Sequence, residues 1–209
     1  LEASTEIIST DGWNEQGVMF IAESPSKNYH GLYANGIPKS PAVQWYWIHN
    51  RKDIKEYPAN FKGGTYGDFF ASAIKTFKLK NAYVTNLVKC GLNNPDGSGY
   101  LGIGCYNKDC IRNCFSRYLL KEIEIVNPKV IFTMGSKTHS YLQDLINESK
   151  LDVENIRIEC LPHPAGQRRG FKDEYFKTLY FNLIFKALYQ SQIIPKESII
   201  YYTNLYLNN

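Results

Sequence analysis

Four short, mostly apolar segments recur along the chain, each bounded by polar or turn-forming residues. They are Val18–Ala22, Ala82–Val88, Val130–Met134 and Ile156–Leu161. Apolar segments of this length are typical of strands buried within a sheet. We therefore predict four strands.

Between these segments the apolar residues follow a helical spacing. The predicted helices cover Phe69–Phe77, Cys114–Val126, Ser136–Asn147 and, roughly, Lys172–Gln190. Strands that alternate with helices form parallel sheets with helices on both faces. The predicted fold is therefore of the α/β class, a three-layer α/β/α sandwich with a central four-stranded parallel sheet.

The stretch at about 36–67 shows no clear periodicity and is dense in aromatic residues. These are Trp45, Tyr46, Trp47, Tyr57, Phe61 and Tyr66. Long loops are usually functional or disordered, and the aromatic content argues against disorder. We interpret the stretch as an ordered insertion in a single domain spanning residues 1–209, because 44% hydrophobic content in a chain of this length suits one core.

Composition narrows the partners and the compartment. The 24 Lys and Arg residues exceed the 20 Asp and Glu residues by 4, which favours a nucleic-acid partner only slightly. No apolar run approaches the ~18 residues of a membrane span, so no membrane partner is expected. Five cysteines are an odd number on a chain without a secretion signal, so we expect a reducing, cytoplasmic compartment rather than a disulfide framework.

Four of the cysteines are closely spaced. Cys90, Cys105, Cys110 and Cys114 follow the pattern C-x14-C-x4-C-x3-C. Thiolate quartets hold iron-sulfur clusters or zinc, and partly buried free thiols are the alternative. Both interpretations are open at this point, whereas Cys160, inside a predicted strand, is expected in the core.

Polar residues follow each predicted strand at the point where it ends. The segments are Glu23-Ser24-Pro25-Ser26, Asn86 to Cys90, Gly135-Ser136 and Pro162-His163-Pro164. Open parallel sheets bind their ligands beyond the carboxyl ends of the strands. We therefore expect a functional site at this edge, with Glu23 and His163 on neighbouring strand ends that face one crevice.

The order of these segments resembles the uracil-DNA glycosylase superfamily, most closely its iron-sulfur branch. That branch has G-E-x-P-G after its first strand, T-N-x-V-K-C after the next, a P-K-V strand that ends in Leu-Gly, and an H-P motif before basic residues. The corresponding segments here are Ala22–Ser26, Thr85–Cys90, Pro128–Gly135 and His163-Pro164 with Arg168 and Arg169. The resemblance implies a monomeric DNA glycosylase whose chemistry needs no cofactor.

The resemblance also implies roles for individual residues. Glu23 and His163 are the expected catalytic pair, because cutting an N-glycosidic bond requires a carboxylate for the cationic sugar and a histidine for the departing base. Asn86 is expected to pair with the edge of a flipped pyrimidine. The other expected base contacts are Ser24, Tyr29 and Lys39. The expected DNA contacts are Ser26, Lys27, Gln167, Arg168 and Arg169.

The expected base is uracil or a C5-modified cytosine, such as a hydroxymethylated or glucosylated one. Lys39 stands where the branch has a Phe that stacks on uracil, and the aromatic insertion adds polar rings and cations. Excision of a modified cytosine would make the enzyme a factor of antiviral defence rather than of DNA repair.

Two other classes of protein remain open. One is a catalytically silent module of the same fold that binds single-stranded DNA through its aromatic residues. The other is a hydrolase of free nucleosides or nucleotides, which would need no surface that follows the DNA phosphates.

Overall fold

The computed structural model of the chain describes residues 17–24, 33–34, 37–38, 77, 79, 82–89, 103–163 and 174–194. Its strands are β1 (Val18–Ala22), β2 (Tyr33–Ala34), β3 (Ile37–Pro38), β4 (Tyr83–Asn86), β5 (Val130–Met134) and β6 (Arg157–Leu161). Its helical elements are a 3-10 turn (Ile103–Cys105), α1 (Lys108–Cys114), a π turn (Phe115–Leu119), α2 (Leu120–Val126), α3 (Ser136–Ser149) and α4 (Glu174–Gln190).

Four of these strands form one parallel sheet, in the order β4-β1-β5-β6. The four are the predicted ones, and β1 and β5 have the predicted bounds. The expectation that the first and fourth predicted strands are neighbours is wrong, because β5 lies between β1 and β6. β2 and β3 pair antiparallel as a separate ribbon at the beginning of the aromatic insertion, most of which lies outside the described residues.

Each face of the sheet carries its own hydrophobic core. Side chains alternate along a strand, so Phe20 and Phe132 point to one face, where their rings stack with centroids 5.1 Å apart. That face packs against the buried residues of α4. Met19 and Ile131 point to the opposite face, which is covered by α1, the π turn, α2 and α3. These two helical layers confirm the predicted α/β/α sandwich.

The helical layer between the 3-10 turn and β5 differs from the prediction that a helix begins at Cys114. The helix begins at Lys108, because the side chain of Asn107 accepts a hydrogen bond from the backbone N–H of Asp109 and so caps the first turn. Cys114 therefore lies at the end of α1, and the π turn joins α1 to α2 without a break. None of the described helices combines the length and the hydropathy that crossing a membrane requires.

Candidate functional site

Three of the four strands lead directly into the residues that the sequence singled out. Glu23 follows β1, Asn86 ends β4, and His163 comes two residues after β6. Ala22 pairs with Asn86 in the sheet register. The parallel sheet therefore brings the ends of β1 and β4 side by side at its carboxyl edge.

Backbone hydrogen bonds continue this pairing beyond the strands. The N–H of Leu87 donates to the carbonyl of Ala22 at 2.8 Å, and the N–H of Val88 donates to the carbonyl of Glu23 at 3.0 Å. The side chain of Glu23 is held separately, since its Oε1 atom accepts a hydrogen bond from the backbone N–H of Ile103. Glu23 is thus fixed from two sides while it remains half-buried.

His163 reaches across the end of β5 because position 135 carries no side chain. Gly135 has φ +100°, and a Cβ atom there would lie 3.2 Å from the Cβ atom and 3.5 Å from the Cδ2 atom of His163. The N–H of Gly135 also donates to the carbonyl of Leu161 at 2.7 Å, which ties the ends of β5 and β6 together. This packing places His163 over the end of β5, the strand that separates β6 from β1.

Burial sets the charge of His163. Removal of water lowers the pKa of its imidazole below the ordinary value of 6.5, and this effect exceeds the opposing influence of the negative Glu23. A lowered pKa favours the neutral form of the ring at neutral pH. A neutral imidazole has one N–H donor and one acceptor nitrogen, so it can donate a hydrogen bond without bringing a full positive charge.

A residue of α4, the helix that covers one face of the sheet, holds the backbone just before His163. The hydroxyl of Tyr180 on α4 donates a hydrogen bond to the carbonyl oxygen of Pro162. Burial raises the pKa of Tyr180 well above its ordinary value, so the phenol keeps the proton that it donates. The site is thus linked to the core around α4.

The side-chain oxygen of Asn86 is buried and has no hydrogen-bond partner among the described residues. Its side chain is 1% exposed, and among the described residues no group donates a hydrogen bond to its Oδ1 atom. An unsatisfied buried amide oxygen costs about 1–3 kcal/mol, so native proteins rarely keep one without a use. A ligand N–H group is the chemistry that would satisfy it.

A partly buried ion pair beside Asn86 was not identified in the sequence. Lys89 Nζ lies 2.6 Å from Glu122 Oε2 and also donates to the hydroxyl of Thr85, which itself donates to Glu122 Oε2 at 2.9 Å. The Lys89 and Glu122 side chains are 6% and 23% exposed. Removing one partner of such a pair typically costs about 3–5 kcal/mol, because the other charge stays buried. The available signal was a lysine placed directly after the apolar pair Leu87-Val88.

The described cysteines lie at different depths. Cys105 is exposed on the 3-10 turn, Cys110 is half-buried, and Cys114, four residues later, is buried. Among the described residues no group of three or more His, Cys, Asp or Glu side chains is arranged to hold a metal ion. The Sγ atom of Cys114 lies 3.5 Å from the backbone nitrogen of Lys89, the residue that precedes Cys90. Cys160 on β6 is half-buried and belongs to neither hydrophobic cluster among the described residues, so the expectation that it is a core residue is wrong.

The remaining predicted site residues divide into two groups. Ser24, predicted to contact the base, is buried directly after Glu23. The others lie outside the described residues: Ser26, Lys27, Tyr29, Lys39, Cys90, Gln167, Arg168 and Arg169.

The fold and this edge define an α/β protein whose polar residues converge at the carboxyl ends of a parallel sheet. The family model of the uracil DNA glycosylase superfamily matches residues 11–188. The chain therefore belongs to this superfamily, whose members act on DNA. No curated protein matches the chain significantly.

Proposed function

We propose that the protein is an active DNA glycosylase that flips a pyrimidine out of DNA and hydrolyses its N-glycosidic bond, leaving an abasic site. The observation that carries this proposal is the packing of His163 against Gly135 at the end of β5, the strand next to β1, which leads into Glu23. The two side chains offer a hydrogen-bond donor and a carboxylate at the same carboxyl edge of the sheet, with Asn86 at the end of the strand next to β1.

These two groups suit the charges that develop during the reaction. As the bond between the sugar and the base breaks, the electron pair leaves with the base, and the sugar gains oxocarbenium character. The N–H of a neutral His163 can stabilise the anion on the base, and Glu23 can stabilise the cationic sugar or orient the attacking water. Water then adds its oxygen to the sugar carbon. One of its protons stays on the new hydroxyl group, and the other is taken up by the base anion.

Asn86 supplies the recognition of the base. Its Oδ1 atom can accept the ring N–H of uracil or an amino N–H of cytosine, and its NH2 group can donate to the acceptor beside that position. The buried, unpartnered state of Oδ1 supports this role, because a flipped base would restore the missing hydrogen bond.

The substrate that we propose is DNA with uracil or a C5-modified cytosine, hydroxymethylated or glucosylated. Lys39 stands at the position of the stacking Phe, and this difference supports a modified base as the substrate. Lys39, Ser24 and Tyr29 are the further residues that we propose contact the base. Phosphate contacts from Ser26, Lys27, Gln167, Arg168 and Arg169 would hold the strand while the base is extruded. An antiviral role would follow from activity on the modified cytosine.

We further propose membership of the iron-sulfur branch, with a cluster or a zinc ion held by Cys90, Cys105, Cys110 and Cys114. The approach of Lys89 to Cys114 supports it, because this contact brings the chain next to Cys90 within reach of the α1 thiols. Such a group would stabilise the fold, and the excision chemistry would proceed through Glu23 and His163 without it.

Single-turnover kinetics on a matched set of oligonucleotides test the proposal. His163→Ala should lower the rate of base release by ~10² or more and leave DNA affinity largely unchanged, because the hydrogen bond acts in the transition state. Glu23→Gln should behave similarly. His139→Gln is the matched control, since His139 is half-buried on α3 and its ring bonds to Thr133 Oγ1 at 3.0 Å. DNA binding without release of any base would instead establish a silent binding module.

A further inference from the structure

Lys89 is held at both of its ends by the same helical layer. Its backbone N–H donates to the Sγ atom of Cys114 at 3.5 Å, and its Nζ atom lies 2.6 Å from Glu122 Oε2. Cys114 ends α1 and Glu122 lies in the first turn of α2. Lys89, just after β4, is therefore bonded to two consecutive helical elements.

The π turn between α1 and α2 makes this double contact geometrically feasible. On an uninterrupted α-helix, two residues eight positions apart, such as Cys114 and Glu122, would point about 80° apart. A π turn takes up one additional residue, so the pair behaves as if it were seven positions apart and points about 20° apart. The five-residue π turn Phe115–Leu119 thus turns both side chains toward Lys89.

These contacts fix the backbone on both sides of Asn86. On one side, the hydroxyl of Thr85 is bonded to Lys89 and Glu122. On the other side, Leu87 and Val88 donate to the carbonyls at the end of β1, and Lys89 completes the clamp. No described residue holds the Oδ1 atom of Asn86, so the direction of that atom depends on the backbone that carries it.

We propose that Lys89 and Glu122 are positioning residues that aim the Asn86 amide at the flipped base, an inference that rests on the proposed function of Asn86. The ion pair suits this task because its hydrogen bonds are directional and hold the two side chains in one arrangement. Apolar side chains of similar volume can stabilise a core equally well, and in some proteins a buried polar or ionic group has the separate effect of selecting one geometry. The ion pair therefore contributes to base recognition without touching the base.

The first experiment removes both charges together. Lys89→Met with Glu122→Leu leaves no unpaired buried charge, so this double variant should fold with a urea midpoint close to that of the wild type. It should nevertheless release the preferred base at least about tenfold more slowly with unchanged DNA affinity, since small misplacements of a recognition group are costly. The matched control is Lys121→Met with Glu124→Gln, an exposed pair on the same helix, which should keep the wild-type rate.

The same substitutions in an Asn86→Ala background separate positioning from general structural damage. If Lys89 and Glu122 act through Asn86, removing them should slow the Asn86→Ala protein less than about twofold. An equal slowing in both backgrounds would overturn the proposal, as would a wild-type rate in the charge-free double variant.

A measurement that needs no activity keeps this inference distinct from the proposed function. If the wild-type protein released no base, the proposed function would fail, and the side-chain amide NMR signals of Asn86 would still report its orientation. In the charge-free double variant these signals should shift or broaden, and the backbone amides of Leu87 and Val88 should exchange at least about tenfold faster. Unchanged signals and exchange rates would overturn the positioning role.

Discussion

The imidazole of His163 packs against the α-carbon of Gly135, so closely that a Cβ atom at position 135 would lie 3.2 Å from the Cβ atom of His163. Because β5 separates β6 from β1, this bare backbone lets the histidine lie over the end of the strand next to β1. Gly135 therefore belongs to the candidate site together with Glu23 and His163.

Gly135→Ala should damage both stability and activity. Its φ of +100° is strained for any residue with a Cβ atom, at a cost of about 1–3 kcal/mol, and the methyl group would push His163 from its place. Urea unfolding should show the loss of stability, and the single-turnover rate should fall by about tenfold or more.

Gly104→Ala is the control for that substitution. Among the described residues, a Cβ atom at position 104 would meet the end of the flexible Lys137 side chain, at 3.8 Å, and the backbone there is not in the left-handed region. This variant should keep wild-type stability and rate. If Gly135→Ala behaved in the same way, His163 would not depend on the bare backbone of β5.

Titration of His163 by NMR tests the electrostatics of the site. Burial lowers its pKa below 6.5, and the negative Glu23 raises it, so Glu23→Gln should lower it further. The lowered pKa also predicts how the free energy of unfolding depends on pH. Above pH 6.5 the ring is mostly neutral in both the folded and the unfolded chain, and below that pH the unfolded chain takes up the proton more readily, so stability falls. A pKa of His163 that stayed the same in Glu23→Gln would show that the two side chains do not interact.

The apolar pattern was sufficient to predict the sheet, and local chemistry decided what it missed. β1 and β5 are continuous buried strands, and their bounds follow directly from where the apolar residues stop. The helix that begins at Lys108 was missed because its start depends on the side chain of Asn107 rather than on apolar spacing. Strand order was missed as well, since a parallel sheet with the same strands can be arranged in several orders.

The site shows the same division. Glu23, Asn86 and His163 could be proposed from their places after the strands, because parallel strands share one carboxyl edge. The Lys89–Glu122 ion pair could not, since its partners are 33 positions apart and meet only through the π turn. Such a contact depends on the relative rotation of helix and sheet, which one sequence does not reveal.

Removal of two positive charges should change how DNA binding depends on salt. Arg168→Ala with Arg169→Ala should weaken binding on all sequences and reduce the slope of log affinity against log salt by roughly 2, if both arginines contact phosphates. Arg112→Ala is the control, because Arg112 pairs with Glu148 at 3.0 Å in the last turn of α3, away from the carboxyl edge. A slope that stayed unchanged in the double variant would remove these arginines from the DNA interface.

Metal analysis of protein purified without oxygen tests the four-cysteine proposal. A cluster should make the protein brown with visible absorption, and Cys90→Ser should bleach and destabilise it. Zinc should instead give a colourless protein with about one ion per chain. Cys160→Ser should keep the metal, because Cys160 lies on β6 outside the quartet. Less than stoichiometric metal of either kind would leave these residues as free thiols.

The most direct test of the account is base release from oligonucleotides that differ at one position. The set carries uracil, thymine, cytosine, 5-hydroxymethylcytosine or its glucosylated form, and alkaline strand scission under single-turnover conditions reports each abasic site. We predict scission that depends on His163 and is at least as fast at a bulky C5-modified base as at uracil. An apolar wall near C5 would not exclude a substituent by itself, because such a wall discriminates one methyl by only ~1–3 kcal/mol. Rapid scission at uracil alone would contradict the modified substrate, and binding without scission at any base would contradict a DNA glycosylase altogether.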